Sequence, residues 1–447
     1  MKRHRKHSDD MNFMRGRLVT PSPAPSQESD APTTPIFGKH GAEIRSRDHH
    51  ANGHIRPAAI DTGELDTTTL LSPPHSLLGY KPQFRGPKLK IVILGVPISS
   101  PSENGHATIY RGLIRELAAR GHDVLFLERE TEPVPHPDVP SASCGRTEHY
   151  ASVRELKQRF NSAVRDADFV IVGSSVQEGI TIGEWVTRIA QGATAFYDID
   201  TPVTMANLIK RDPGDICPAL IPRYHIYLSF TGGPLLPYIE KHYGSPMARP
   251  LYGSVDATLF FPEERTHKWD LGYLGCYSQD RQRAFDRLLL EPARRWGEGQ
   301  FIVAGAQYPR SVHWPHNVKR LTHLAPGKHR SFYNSQRFTL NITPANRSAT
   351  GFSPSAHLFE AAACGTPIIT DFWQGLDTFF KPDEEILISH SPDETLIYLE
   401  EISELDRRRI GYRARERVLA RHTSRHRAAE LESYALEILK PTVARSE

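Results

Sequence analysis

The 447-residue sequence predicts an α/β protein: two doubly wound parallel sheets facing an interdomain cleft, preceded by a disordered N-terminal tail. Three observations carry this expectation. Short continuous apolar runs such as KIVILGV and DFVIVGS have the look of strands buried on both faces, and helical patterns separate most of them. The alternation then begins afresh after PLYGSVDATLFFPEE.

Residues 1–87 are rich in Pro, Ser, Thr, Gly, His and mixed charges, as in TPSPAPSQESDAPTTP, and show no sustained period. Such a segment cannot bury enough apolar surface to offset its ordering entropy, so it reads as disordered. Its alternatives are a solvated tail and a basic docking arm for a partner or an anionic surface.

Order is expected from Lys88. KIVILGV is a strand, ATIYRGLIRELAARG a helix that Gly121 ends at the C′ position, and HDVLFLE the next strand. A helix near Tyr150 to Val164, the strand DFVIVGS, a helix through GEWVTRIAQG, the strands ATAFYDI and YHIYLSF, and the helix PLLPYIEKHYG complete a first Rossmann-like domain, residues 88–256. DLGYLG, FIVAGA, NVKRLTHL, FTLNIT, PIITD and EILISH are the strands of a second, residues 257–425, joined to the first near Asp256 to Glu264. Helical stretches from Asp393 onward close the chain, residues 426–447 forming a closing helix and tail. In open parallel sheets ligands bind beyond the carboxyl ends of the strands, so function is expected on the loops that follow them.

Composition narrows the function classes. Hydrophobic content of 38%, charged content of 24% and a net charge of +3 describe a soluble globular protein without the basicity that nucleic acid demands. Cys144, Cys217, Cys276 and Cys364 lie far apart with no C-x-x-C pair, which writes neither a disulfide framework nor a zinc site. The charged N-terminus has no apolar h-region behind it, and no run of about 18 apolar residues occurs, so no membrane span and a reducing, cytoplasmic setting are expected.

Several strand-following loops carry polar groups. In PISSPSENGHA, Asn104 and Gly105 give a tight turn and His106 arrives at a helix start, where free N–H groups favour an anion or a polar substrate. An imidazole there can serve as general base toward an acceptor hydroxyl, or merely hydrogen-bond the backbone. Glu128, at the end of the second strand, is in place for a ribose contact, though the compact G-x-G-x-x-G of dinucleotide binders is missing. YDIDTP pairs Asp198 with Asp200; the pair can hold a metal, cap a helix, or serve a polar role such as holding His106. SFTGGP, Ser229 to Pro234, is a glycine turn suited to close backbone approach. LGCYSQDRQRAF places Tyr277, Ser278 and Arg281 at a strand-to-helix junction suited to a diphosphate, with a surface arginine as the alternative. His313 and His316, like His422 and His426, read as surface groups.

The segment ATGFSPSAHLFEAAACGTPIIT is the most informative. Ser353 is expected to cap a helix of about three turns that begins at Pro354 and stops at Gly365, with Pro367 beyond it. Glu360 shares a face with Ala356, Ala363 and Cys364. Small neighbours leave room beside the carboxylate, which must meet donors, and a ribose supplies two adjacent hydroxyls. The Gly351 to Ser355 turn can meanwhile hold phosphates.

FSPSAHLFEAAACGTPIIT resembles the donor-site segment of GT-B glycosyltransferases, and YGSVDATLFFP and RARERVLARHTSRHRAAELESYAL look like their interdomain segment and closing helices. NGHATIYRGLIRELAARGHDVLFLER, FYDIDTP, YLSFTGGP, DLGYLG, LLLEPARR and GFSPS-x-x-x-FEAAACGTPII together resemble the CgeB-like (spore maturation protein) glycosyltransferases, over about Lys88 to Tyr434. The resemblance implies a GT-B fold and a sugar transfer from a nucleotide-diphosphate donor, UDP-, GDP- or dTDP-linked, to a hydroxyl acceptor, with no metal or other cofactor. It also implies that Glu360 binds the ribose and that Gly351, Ser353 and Ser355 meet the diphosphate or donor sugar. Ser278 and Arg281 would neutralise the pyrophosphate, and the loop Thr322 to Pro326, with Leu324, would edge the nucleobase. Two features depart from the pattern: Phe352 stands where many retaining members carry a second glutamate, and no Arg-x-x-x-x-Lys pair is evident. A non-catalytic glycan-binding or surface-assembly protein of the same fold is the alternative; the acceptor and the oligomeric state are not read from the sequence.

Overall fold

The structure is a computed structural model that describes residues 86–99, 105–130, 145–212 and 214–440. The expected disordered tail and Asn104 lie outside the described residues. All described residues belong to one compact unit.

Seven parallel strands form the first sheet: β1 Lys90–Leu94, β2 Asp123–Arg129, β3 Arg146–Tyr150, β4 Phe169–Gly173, β5 Ala193–Asp198, β6 Ile226–Ser229 and β7 Ala248–Pro250. Their order is β3-β2-β1-β4-β5-β6-β7. The crossover helices are α1 Gly105–Ala119, α2 Val153–Arg165, α3 Gly179–Ile189, α4 Thr201–Lys210 and α5 Leu235–Tyr243. Central strands such as FVIVG are buried along their whole length, because helices cover both faces of the sheet.

The second sheet has six parallel strands: β8 Trp269–Leu274, β9 Phe301–Ala304, β10 Val318–Leu321, β11 Gln336–Asn341, β12 Ile368–Thr370 and β13 Leu387–Ile388, in the order β10-β9-β8-β11-β12-β13. Its helices are α6 Gln279–Phe285, α7 Glu291–Arg295, α8 His329–Tyr333, α9 Ala345–Thr350, α10 Ala356–Ala363, α11 Pro392–Glu401 and α12 Glu404–Arg421. The last helix, α13 Ser424–Leu439, returns to the first sheet, where Ala428, Leu431 and Ala435 complete the apolar layer that α1 lays on β1 and β4.

The sequence-level reading missed four elements, each for a local reason. β3 reads RTEHY and is half exposed at a sheet edge, so it has no apolar run. β7 is three residues long and ends in a proline, which an edge strand tolerates. TPVTMANLIK, mixing threonines and a valine with helix formers, carries no clear period, yet Pro202 at its first turn and burial against the sheet make it α4. α9 has no buried residue at all.

The chain crosses between the sheets twice at one place. Val255 and Thr423 pair as a parallel bridge, with Val255 N–H donating to His422 O at 3.1 Å and Ser424 N–H to Val255 O at 3.0 Å. Arg115 of α1 pairs with the buried Asp256 beside the bridge. Farther along α13, Glu432 accepts from Arg120 Nε at 2.9 Å and from His122 Nε2 at 2.9 Å, while His122 Nδ1 accepts from Leu89 N–H at 3.2 Å. The imidazole therefore carries its proton on Nε2 and ties β1, the end of α1 and α13 together.

His422 is buried at the crossing, stacked on Phe359 at 4.7 Å, with Nδ1 accepting from Arg427 at 2.8 Å. Burial, then the nearby cations Arg427, His426, Arg417 and Arg421, push its pKa down from 6.5 to about 3. A depressed base contributes stability that is complete above its unfolded pKa and is lost as pH falls below it. Urea unfolding should therefore show a loss of about 2 kcal/mol from this residue between pH 7 and pH 5, and the loss should shrink in His422→Gln. Equal pH dependence in the two proteins would contradict this.

Candidate functional site

Each sheet reverses its strand order once, between β1 and β4 in the first and between β8 and β11 in the second. Loops leaving neighbouring strands there diverge to opposite faces and open a crevice at the carboxyl ends. The first sheet contributes the start of α1 and the turns after β5 and β6, and the second contributes the loops after β8 and β11. The β8 and β11 loops are joined by Asp280 Oδ2, which accepts from Ala345 N–H at 2.8 Å.

The two halves touch along a narrow seam. Gly232 N–H donates to Phe352 O at 2.9 Å, Phe352 N–H to Gln374 O at 2.7 Å, and Thr231 Oγ1 to Ser353 Oγ at 3.0 Å. The Phe352 ring lies between Gly233 and Gly375, where a methyl on either glycine would overlap it. Phe352 itself has φ of +48°, an uncommon conformation for a bulky residue that the bonds on its two sides hold in place. The SFTGGP glycines thus serve close approach by another part of the chain.

On the first-domain side, His106 is the second residue of α1, and its ring meets Phe230 edge-on at 6.1 Å. Burial lowers its pKa, Arg347 lowers it further, and Asp200 acts in the opposite sense. The result is a neutral imidazole at pH 7, the form a general base needs. Gly105 opens the same helix.

Asp198 and Asp200 have different partners. Asp198 is fully buried; it accepts from Tyr227 Oη and, at 2.9 Å, from Thr204 Oγ1, and burial raises its pKa to about 6 against those bonds. Asp200 instead lies 3.5 Å from Arg347 of α9, an ion pair that crosses from one sheet's loops to the other's. The geometry gives Asp198 a role inside the first domain and leaves Asp200 on the cleft side with His106. Glu128 accepts from Ile98 N–H at 2.5 Å, from Ser99 N–H at 3.2 Å and from the Ser99 hydroxyl, with His149 at 2.8 Å. It pins the loop after β1, which accounts for its position at a strand end without a ribose.

On the second-domain side, the helix bearing Glu360 begins at Ala356, just over two turns before Gly365, and its cap is Ser355, whose hydroxyl accepts from His357 N–H at 3.3 Å. Ser353, the expected cap, is 3% exposed and bonded to Thr231 instead. A residue before proline is biased to extended backbone, so the chain stays extended through Ser353-Pro354 and turns only afterwards. Gly351 has φ of +67° and lies against Gln374.

Glu360 is 7% exposed. Its Oε2 accepts from Tyr333 Oη at 3.2 Å and from His357 Nδ1 at 3.1 Å, and His329 Nδ1 stands 3.8 Å away. Burial pushes the pKa up, but the contacts of His329 and His357 outweigh it and hold the carboxyl at about 2. A buried carboxylate, ionised at pH 7, is thereby maintained in the middle of α10.

The remaining expected residues lie in the loop and helix after β8 and beyond β10, and none of them contacts Glu360 in the bonds described. Ser278 spends its hydroxyl on Asp280, and Arg281 donates to Cys276 O at 2.9 Å while its Nε is buried without a hydrogen-bond partner. Tyr277 packs edge-on against Tyr308 at 5.9 Å. Leu324 lines a cavity of about 480 Å³ with Trp269, Ile302, Leu321 and Phe332. Arg347, Tyr333, His329 and His357 were not singled out from the sequence. The i, i+3 spacing of His357 and Glu360 was a usable signal, whereas Arg347 in NRSAT carried none.

The sequence model of the family described as Glycosyl transferase-like matches residues 281–433, about the second sheet and its helices. No curated protein matches the sequence. Solved structures match at the level of fold. A sucrose-phosphate synthase (tll1590) from Thermosynechococcus elongatus is 14% identical, with a TM-score of 0.56, over 78% of this chain and 98% of that one. HepE (Alr3699) from Anabaena, in complex with UDP and glucose, is 12% identical, with a TM-score of 0.56, over 77% and 99%. An α-glucosyltransferase in complex with UDP-glucose and DNA is 12% identical, with a TM-score of 0.59, over 78% and 100%. The fold is therefore the GT-B arrangement of two Rossmann-like domains.

The seam yields a test. Gly375 has φ of +87° and abuts the Phe352 ring. Gly375→Ala should cost about 2–4 kcal/mol through strain and overpacking, read by denaturant unfolding, and Phe352→Ala in the same background should recover part of that loss. A Gly375→Ala protein as stable as the parent would remove the seam as a structural element.

Proposed function

We propose that this chain is a metal-independent glycosyltransferase that moves a sugar from a nucleotide-diphosphate donor to a hydroxyl acceptor. The observation that carries the reading is Glu360: an ionised carboxylate kept buried within α10, in the domain whose Arg347 meets Asp200 of the other. A carboxylate so placed suits the hydroxyls of a ribose, and the start of α10 suits phosphates. The UDP and UDP-glucose carried by structures of the same fold favour the same assignment. Within that fold the motif combination from Lys88 to Tyr434 favours the CgeB-like enzymes.

In the transfer step the bond between the sugar C1 and the diphosphate oxygen breaks, its electron pair leaving with the diphosphate, and the acceptor oxygen forms the new bond to C1. His106, neutral and at the head of α1, takes the acceptor's proton if the reaction inverts. Arg281 and the N–H groups at the start of α10, capped by Ser355, meet the growing charge on the leaving group in place of a cation. Asp200 and Arg347, paired with each other at 3.5 Å, both act electrostatically on the base. Cys217, Cys276 and Cys364 are all free thiols, which suits a cytoplasmic enzyme.

A non-catalytic glycan-binding or surface-assembly role in the same fold is the second reading. It draws on Phe352, whose ring fills the seam at the position where many retaining enzymes of the resembled fold carry a second glutamate.

Two measurements separate these. Glu360→Ala should weaken binding of the preferred nucleotide sugar at least tenfold, about the worth of a hydrogen bond to a charged group, with an unchanged circular dichroism spectrum; normal affinity would sink the donor assignment. His106→Ala should keep donor affinity and lose release of free nucleotide by 100-fold or more, within the usual worth of a general base. Full turnover in that variant would remove His106 from the chemistry, and donor binding without any nucleotide release in the parent would favour the second reading.

A further inference from the structure

The surroundings of Glu360 narrow what its site can accept; the inference rests on the donor reading above. Tyr333 Oη, His357 Nδ1 and Glu360 Oε2 form a triangle with sides of 3.1, 3.1 and 3.2 Å, and His329 Nδ1 lies 3.8 Å from the same carboxylate oxygen. The arrangement follows from helical spacing. His329 and Tyr333 lie four apart on α8 and face α10, where His357 sits three residues before Glu360.

Beside an ionised carboxylate a phenol donates its O–H, and an imidazole nitrogen donates its N–H, which sets the histidines as Nδ1–H forms. Oε2 thus takes two donors, one for each in-plane lone pair, with His329 standing 3.8 Å away, while Oε1 makes none of these contacts. The carboxylate still keeps about a tenth of its side-chain surface, 9% exposed.

Two adjacent ribose hydroxyls can grip a carboxylate with one hydroxyl on each oxygen, or one hydroxyl alone can bond the single open oxygen while its neighbour stays unbonded. The first arrangement requires both oxygens to be open. We propose that Tyr333, His357 and His329 are positioning residues that make Glu360 a one-oxygen acceptor, so that the site holds the pentose of its nucleotide through one hydroxyl and admits a deoxy analogue lacking the other.

The test uses the full chain and the tightest binder among UDP, GDP and ADP, compared with its 2′-deoxy and 3′-deoxy analogues by calorimetry. A hydroxyl bonded to a carboxylate is worth roughly 10-fold or more in affinity, and an unbonded one much less. The expected result is that one analogue binds within about threefold of the parent nucleotide while the other loses at least about tenfold. In the Tyr333→Phe/His357→Ala double variant, which opens Oε2, the tolerated analogue should become discriminated, and His357→Asn, which keeps a donor, should retain the parental pattern. Tenfold losses with both analogues in the parent protein would overturn the one-oxygen arrangement while leaving the donor reading intact. No loss with either analogue, or ratios that do not change when the cage is opened, would also overturn it. Failure of all three nucleotides to bind would bring down the donor reading itself, and this inference with it.

Discussion

The constraint on which the rest of this structure depends is the paired crossing at Val255 and Thr423. Two polypeptide segments pass between the sheets side by side, hydrogen-bonded to one another, and the two domains are tied together at that junction. The second crossing allows α13 to return and complete the core of the first sheet, where Glu432 is gripped by Arg120 and His122. Breaking one member of such a buried pair leaves an uncompensated charge, so the clasp is costly to open. The packing of His422 on Phe359 joins the crossing to the helix that carries Glu360, one residue away.

A second constraint is electrostatic. Burying Glu360 is unfavourable in itself, and the protein offsets the cost with a phenol and two imidazoles rather than with a lysine or an arginine. Those partners supply donors without placing a permanent cation beside the carboxylate. The opposite solution appears on the first-domain side, where Asp198 is sunk in the sheet with Tyr227 and Thr204 and its pKa rises to about 6. Both carboxylates are buried, but the histidine contacts of Glu360 outweigh that burial whereas the hydroxyl bonds of Asp198 do not, so Glu360 stays ionised to lower pH than Asp198.

The seam through Phe352 gives the cleft its third property. At this position a side chain is wedged between Gly233 and Gly375, and main-chain bonds run from Gly232 to Phe352 and from Phe352 to Gln374. The glycine turns on both sides are explained by this approach. Arg347 of α9 reaches Asp200 just before this turn, so that groups of the first and second domains are held in mutual contact by one short stretch, residues 347–353.

The strands and most helices were legible in the sequence because fully buried parallel strands must be continuous apolar runs, and KIVIL and FVIVG can be little else. Glu360 was legible because a carboxylate among alanines demands partners. The partners themselves were not: Tyr333 and His329 lie 27 and 31 positions upstream, and only the packing of α8 on α10 brings them to it. Ser353 and Glu128 show the converse, since a capping serine and a strand-end glutamate are sound local readings that long-range partners, Thr231 and the Ile98–Ser99 backbone, supersede. By itself the sequence determined the alternation of strands and helices, the repeat of the pattern and the segment that carries the carboxylate, because these depend on neighbours within a few residues. Tertiary structure alone decided which oxygen of Glu360 is occupied, what Phe352 wedges apart and which arginine faces His106, because those contacts join segments whose proximity exists only after two sheets have been folded and joined at the crossing and the seam.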